Sequence, residues 1–180
     1  MRRLTYEEIS KRRFAGLPGN EERLPVSLLL DNVRSLYNVG SIFRSADGAR
    51  AAKLWLTGYT PFPPRKEIEK TALGATSSVP WEHVRDPVSA INSIRTSGAA
   101  ICVLEQTNES RPYYTIEPSR FPLCIIVGNE ITGVSPGLLA HVDFAIDIPM
   151  HGMKQSLNAA VAAGIVLYDC LRILKGTSAG

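Results

Sequence analysis

Residues Phe121 to Leu174 read FPLCIIVGNEITGVSPGLLAHVDFAIDIPMHGMKQSLNAAVAAGIVLYDCLRIL, and this stretch decides the fold. Leu123 to Val127 is a short apolar run rich in β-branched residues, which predicts a strand buried on both faces. It stops at Gly128-Asn129-Glu130, so it delivers a carboxylate to the carboxyl edge of a parallel sheet, where α/β folds bind ligands. A second strand, Phe144 to Ile148, stops as abruptly at Pro149. A Gly-containing loop follows, then a long helix that Ser156 is expected to open as its N-cap. Glu130, Ser156 and Asn158 are thereby aimed at one place.

That helix has no polar face from Ala159 to Leu167, which predicts burial on several sides. Its small residues suit close packing against a second copy of the chain, giving a homodimer, or against an internal core.

Toward the N-terminus, Val26 to Leu30 reads as an apolar strand ending at Asp31 and Asn32. Asn38 is expected to cap a helix whose Ile42, Phe43, Ala46 and Ala49 fall at helical spacing, with Arg44 on its first turns. Ala52 to Leu56 is a further strand, broken at Gly58. Tyr59 to Lys66 is a proline-rich loop, and Arg65, Lys66 and Lys70 read either as a phosphate track or as plain surface charge.

Lys70 to Ser77 is a stretch of small residues, followed by a short strand over Val79 to Val84. Asp86 as N-cap with Pro87 at the first helical position predicts a helix to Thr96. Ala99 to Leu104 is another buried strand, and Asn108 to Pro122 reads as a loop in which Tyr113 and Tyr114 are packing groups. Thr5 and Glu8 form a capping-box pattern for a short helix over Tyr6 to Phe14, flanked by Arg2, Arg3, Lys11, Arg12 and Arg13. Gly16 to Leu24 reads as a linker. The alternation of strands and helices predicts an α/β fold, a parallel sheet with helices on both faces. Its expected limits are residues 25–175, after a short basic extension over 1–24.

Composition sets the outer limits. A chain of 180 residues, 44% hydrophobic and 21% charged, suits one domain burying about 70% of its unfolded surface. The net charge of +3 permits a nucleic-acid partner without requiring one. Cys102, Cys124 and Cys170 lie too far apart for a zinc or disulfide pattern, and His83, His141 and His151 lack ligand spacing, so no metal is expected. No segment approaches the roughly 20 apolar residues of a membrane span, and the N-terminus lacks the apolar core of a signal peptide. These features predict a soluble, cytoplasmic protein. The absence of GxGxxG after the first strand and of GxxxxGK[ST] weakens dinucleotide and P-loop readings.

Three blocks together resemble the SpoU/TrmH family of RNA 2′-O-ribose methyltransferases, within the SPOUT superfamily. They are LLLDNVRSLYNVGSIFRSADGA, IIVGNEITGVS and IPMHGMKQSLNAAVAAGIVLYD, in the family's order and spacing, and they span about Leu28 to Leu171. The resemblance implies a deep C-terminal trefoil knot, a homodimer, S-adenosyl-L-methionine as cofactor, and a tRNA or rRNA substrate. It implies cofactor contacts at Leu104, Gly128, Ile148, Met150, Ser156 and Leu157. Catalytic and orienting positions would be Arg44, Asn38, Glu130, Ser156 and Asn158. Departures from the family pattern are Ala46-Asp47-Gly48 where a Phe-Gly pair commonly follows the Arg, and Ala159 in place of the usual Val.

Methyl transfer to a ribose hydroxyl requires alignment and removal of a proton, and no metal or covalent intermediate. Because a guanidinium stays charged in proteins, Arg44 suits the phosphate beside the target ribose better than the role of free base. The other reading carried by these residues is a non-catalytic RNA-binding or assembly factor with the same fold. The presence of Arg44, Glu130 and Asn158 together weighs against it.

Overall fold

The computed structural model describes residues 1–15 and 23–177; the side chains of residues 12–15 and 177 and most of the expected linker, residues 16–22, lie outside the described part, and Leu24 at the linker's expected end already belongs to a strand. Helix α1 (Tyr6–Ala15) opens on the expected capping box: Glu8 N–H donates to Thr5 Oγ1 at 3.3 Å, and Thr5 N–H donates to Glu8 Oε2 at 2.8 Å. Arg2 pairs with Glu8 and Lys11 with Glu7, so part of the basic extension is neutralised within itself.

The core is built from β1 (Leu24–Asp31), α2 (Leu36–Ala49), β2 (Ala51–Thr57), α3 (Lys66–Ala72), β3 (Trp81–Val84), α4 (Pro87–Thr96), β4 (Ala100–Leu104), β5 (Arg111–Pro112), β6 (Leu123–Val127), α5 (Pro136–Leu139), β7 (Phe144–Asp147) and α6 (Ala159–Thr177). The strands form one seven-stranded sheet in the order β3-β2-β1-β6-β4-β7-β5, with every neighbouring pair parallel. Strands β1, β6 and β4 occupy its centre. This explains why LCIIV has no polar position: all five of its residues are buried, and alternate ones serve opposite faces.

Helices cover both faces. Ile125, Val127, Leu28, Leu30 and Cys102 face α2, α3 and α6, whereas Cys124, Ile126, Leu29, Ile101 and Val103 face α4 and α5. Helix α2 approaches α3 so closely that a Cβ on Gly40 would lie 2.1 Å from Thr71 Oγ1 and 2.3 Å from the Ile68 carbonyl oxygen. No helix among the described residues is long and apolar enough to cross a membrane, and none of their side chains form a metal-binding group.

The structure revises several expected boundaries. The stretch KTALGATS contributes its first residues to helix α3, whose C-cap Leu73 takes a left-handed conformation at φ 51°. The expected strand from Val79 begins only at Trp81, because Val79 N–H closes a turn onto the Ala75 carbonyl. Within the expected loop over Asn108 to Pro122, Arg111 and Pro112 pair with β7, and two short 3-10 turns follow. Tyr113 packs against the core as expected, but Tyr114 is largely exposed.

Within a single chain, helix α6 buries one face. Ala163, Val166, Leu167 and Cys170 enter the core, each large aliphatic contributing about 1.5–3 kcal/mol. Val161 and Tyr168 stay half exposed on the other side.

Candidate active site

Register places the working ends of the central strands level with one another. Leu30 and Leu104 both lie opposite Val127, and Leu104 also lies opposite Ile146. The turns leaving these strands enclose a cavity of about 300 Å³. Leu104, Gly128, Ile148, Met150, Ser156 and Leu157, the positions expected to hold a cofactor, all line it, together with Glu130 and Asn158. The volume lies at the lower end of small-molecule sites.

Gly128 is required by sterics. A Cβ there would sit 2.4 Å from both the Gly133 carbonyl carbon and the Val134 nitrogen, so the turn after β6 folds back on its own backbone. Asn129 and Gly133 close that turn with two hydrogen bonds of 3.0 Å. Glu130 then points back toward the start of α2.

Its carboxylate gathers three donors from that segment. Arg34 N–H donates to Oε2 at 2.9 Å, while Ser35 N–H and Asn38 Nδ2 donate to Oε1 at 3.1 and 2.8 Å. Burial alone would push the Glu130 carboxyl up, but the Arg34, Asn38 and Ser35 donors, with its own N–H, together outweigh it and hold the group below the usual carboxylate range.

Asn38 is therefore not the cap of α2. Ser35 takes that place, its Oγ accepting from Asn38 N–H at 3.3 Å, and this releases the Asn38 amide to bridge. Asn38 Oδ1 accepts from Asn158 Nδ2 at 3.0 Å, so a continuous chain runs Glu130, Asn38, Asn158.

The N-cap of α6 is likewise Asn158, not Ser156. Asn158 Oδ1 accepts from the N–H groups of Ala160 at 2.9 Å and Val161 at 3.3 Å. Ser156 lies in the exposed loop two residues earlier and faces the cavity. Asparagine outranks the more distant serine because its amide oxygen reaches these N–H groups while its NH₂ still serves Asn38.

Arg44 is not brought to this wall. It stands about two turns into α2, exposed, without a hydrogen bond or ion pair among the described residues. Arg65 and Lys66 at the start of α3 and Lys70 in its last turn are all exposed.

The structure adds Glu105, Gln106 and Asn129 to the cavity wall. Glu105 accepts from Val134 N–H at 3.2 Å and from Gln106 N–H at 2.9 Å. The signal was present in the sequence: Glu105 follows a buried strand directly, just as the Gly128-Asn129-Glu130 turn does. Glu105, Glu130 and Asp147 line the cavity, and among the described residues no Lys, Arg or His does, so its field favours a cationic ligand.

The sequence pattern of the SpoU rRNA Methylase family matches residues 25–168. The chain belongs to that family. Among its relatives, the SpoU-family chain is 34% identical to the tRNA (guanosine(18)-2′-O)-methyltransferase of Aquifex aeolicus over 143 residues, covering 79% of this chain and 66% of that protein. It is 29% identical to a putative TrmH family tRNA/rRNA methyltransferase of Staphylococcus saprophyticus over 167 residues, 93% of this chain and again 66% of the relative.

The family architecture agrees in three dimensions. The crystal structure of the A. aeolicus TrmH/SpoU tRNA modifying enzyme superposes with a TM-score of 0.78 at 30% identity, over 87% of this chain and 79% of that one. The SpoU methyltransferase AviRb from Streptomyces viridochromogenes, in complex with AdoMet, superposes with a TM-score of 0.76 at 29% identity, over 88% and 63% of the two chains.

Proposed function

We propose that this protein is an S-adenosyl-L-methionine-dependent methyltransferase that methylates a ribose 2′-hydroxyl of tRNA or rRNA. The observation that carries the reading is the cavity, where every position expected to hold the cofactor meets the Glu130–Asn38–Asn158 chain. Support comes from the AdoMet complex of AviRb and from the 2′-O-methyltransferase of A. aeolicus.

The residues present fit such a cofactor. The backbone at Leu104, Gly128 and Ile148 offers strand-end N–H and C=O groups for its adenosine portion, and the acidic lining complements a net positive charge. When bound, S-adenosyl-L-methionine supplies an electrophilic methyl group on a sulfonium. Asn158 and Ser156 orient the ribose at the mouth. Glu130 fixes Asn38, and Asn38 fixes Asn158, so the orienting amide is held before substrate arrives.

From its exposed place on α2, away from the cavity wall of its own chain, Arg44 grips the phosphate beside the target ribose across a homodimer, and lowers the cost of ionising the hydroxyl. A phosphate oxygen or a water takes the proton, since the guanidinium cannot.

We further read the chain as a homodimer with a trefoil knot, in a domain covering residues 25–175 and a cytoplasmic setting. For the dimer, Val161 and Tyr168 leave an apolar stripe on α6, and Arg44 rises on α2 beside Ser45, which approaches Gly164 of α6. For the knot, β7 occupies the slot between β4 and β5, although both precede it in the chain. The return from β5 to β6 packs on the same face as α6.

The test is titration calorimetry with S-adenosyl-L-methionine beside transfer of its labelled methyl into RNA from cells lacking the protein, for wild type and Arg44→Ala. The reading expects cofactor binding in both and incorporation only in wild type. Failure of wild type to bind the cofactor would overturn it in favour of the assembly factor.

A further inference from the structure

Tyr59 lies outside the catalytic machinery described above, yet the fold holds it with unusual care. It follows Gly58, whose φ of +65° turns the chain at the end of β2, and a Cβ at Gly58 would lie 2.0 Å from Asn32 Oδ1. Thr57 and Thr60 both donate their hydroxyls to the Leu30 carbonyl, at 3.1 and 2.9 Å, and Thr60 Oγ1 accepts from Val33 N–H at 3.0 Å. The turn is thereby locked onto the end of β1.

Tyr59 itself is fixed at both ends. Its N–H donates to Asn32 Oδ1 at 3.1 Å, and its hydroxyl accepts from Asn129 Nδ2 at 2.9 Å. Asn129 is 6% exposed, lines the cavity and precedes Glu130. Tyr59 as a whole nevertheless remains 60% exposed.

Ordering an aromatic side chain costs rotamer freedom, which burial normally offsets. Here little is buried, so a ring face is held ready in solvent beside the cavity. Tyr37, half exposed on the neighbouring α2, has no hydrogen bond to its hydroxyl among the described residues. An anchored phenol next to a site that takes a nucleotide offers a stacking surface for a planar base, and single-stranded RNA is bound through such contacts.

We propose that Tyr59 is the platform on which a base of the RNA strand stacks when its ribose enters the cavity mouth. This rests on the RNA methyltransferase reading. Stacking on a bare ring tolerates any base, so Tyr59 contributes affinity and positioning and leaves base identity to other contacts. Arg34 and Arg65, both exposed, stand on the segments flanking this turn and suit the adjoining phosphates.

The experiment compares Tyr59→Phe, Tyr59→Leu and Tyr59→Ala in methyl transfer to RNA from cells lacking the protein, with cofactor affinity measured by calorimetry on the same samples. Loss of the ring in the Leu and Ala variants is expected to raise KM for RNA about tenfold to a hundredfold. Tyr59→Phe, which keeps the ring, stays within about threefold, and kcat and cofactor affinity stay within about twofold throughout. An unchanged KM in Tyr59→Ala, or a Leu variant as good as Phe, would overturn the proposal. Loss of cofactor affinity parallel to KM would also overturn it, by showing that Tyr59 merely supports Asn129. Wild type that methylates no RNA would instead sink the reading on which the proposal rests.

Discussion

Asn38 Nδ2 donates to Glu130 Oε1 at 2.8 Å, joining the first turn of α2 to the turn after β6. Because Glu130 also receives the N–H groups of Arg34 and Ser35, one exposed carboxylate fixes the start of a helix and, through Asn38, the amide of Asn158. Replacing Glu130 by Gln should cost about 1 kcal/mol at neutral pH, less than the roughly 1.5–3 kcal/mol of hydrogen bonds to a buried charged group, because solvent screens it. The carboxyl is held below its unfolded value, near 4.3, so its contribution is present above that pH and is lost as pH falls through the folded value. Urea midpoints of wild type and Glu130→Gln should therefore differ at pH 7 and converge once the pH falls below the carboxyl's lowered folded value. A constant difference across that range would exclude the charge as the cause.

Asn158 has two duties that mutation separates. Asn158→Asp keeps the oxygen that caps α6 and removes the NH₂ that reaches Asn38. It should retain stability to within about 0.5 kcal/mol and lose most methyl transfer. Asn158→Ala should lose both, with about 1 kcal/mol of stability gone along with the cap. Thermal melts beside turnover distinguish the two variants.

Gly128→Ala tests the cavity floor. Its Cβ would meet backbone atoms at 2.4 Å, and no side chain can swing aside to make room. A loss of about 2–3 kcal/mol is expected, together with loss of cofactor binding, since the same turn presents Asn129 and Glu130. Urea unfolding and calorimetry give the two readouts.

The three cysteines are free and buried. Burial pushes the Cys124 and Cys170 thiols up to about 12, and Cys102 is raised well above its ordinary value for the same reason. Dithiobis(nitrobenzoate) should label none of the three in the folded protein and all three in 6 M guanidinium, roughly the concentration that unfolds even stable domains. Rapid labelling in native buffer would mean that the core opens.

Much of this arrangement was legible in the residues. Apolar runs such as LCIIV and AICVL, short, β-branched and bounded by turn residues, read as central parallel strands, and the polar groups directly after them then emerge at one edge of the sheet. Two helix caps were misplaced for a common reason. Ser35 and Asn38 both qualify at the start of α2, as do Ser156 and Asn158 before α6, and local propensity cannot tell which side chain a distant carboxylate or amide will claim. Glu130 lies 92 residues from Asn38, and that partnership decides the first case. Glu105 follows its strand as directly as Glu130 follows β6, but its partners Gly133 and Val134 lie 28 and 29 residues along the chain, so the strand-end position alone marks it as a candidate and the fold supplies the partners. The outer face of α6, with Val161 and Tyr168 half exposed, stays open to both readings, because an all-apolar helix has the same sequence pattern whether its outer side meets core or a second subunit.

The central claim is that the cavity beside Glu130, Asn38 and Asn158 directs a methyl group to a ribose hydroxyl. The most direct test is alkaline hydrolysis of RNA labelled by this protein from methyl-tritiated S-adenosyl-L-methionine, because a 2′-O-methyl group blocks cleavage at its own linkage. The account predicts that the label is recovered in alkali-resistant dinucleotides. Label recovered in single nucleotides would place the methyl on a base and contradict it.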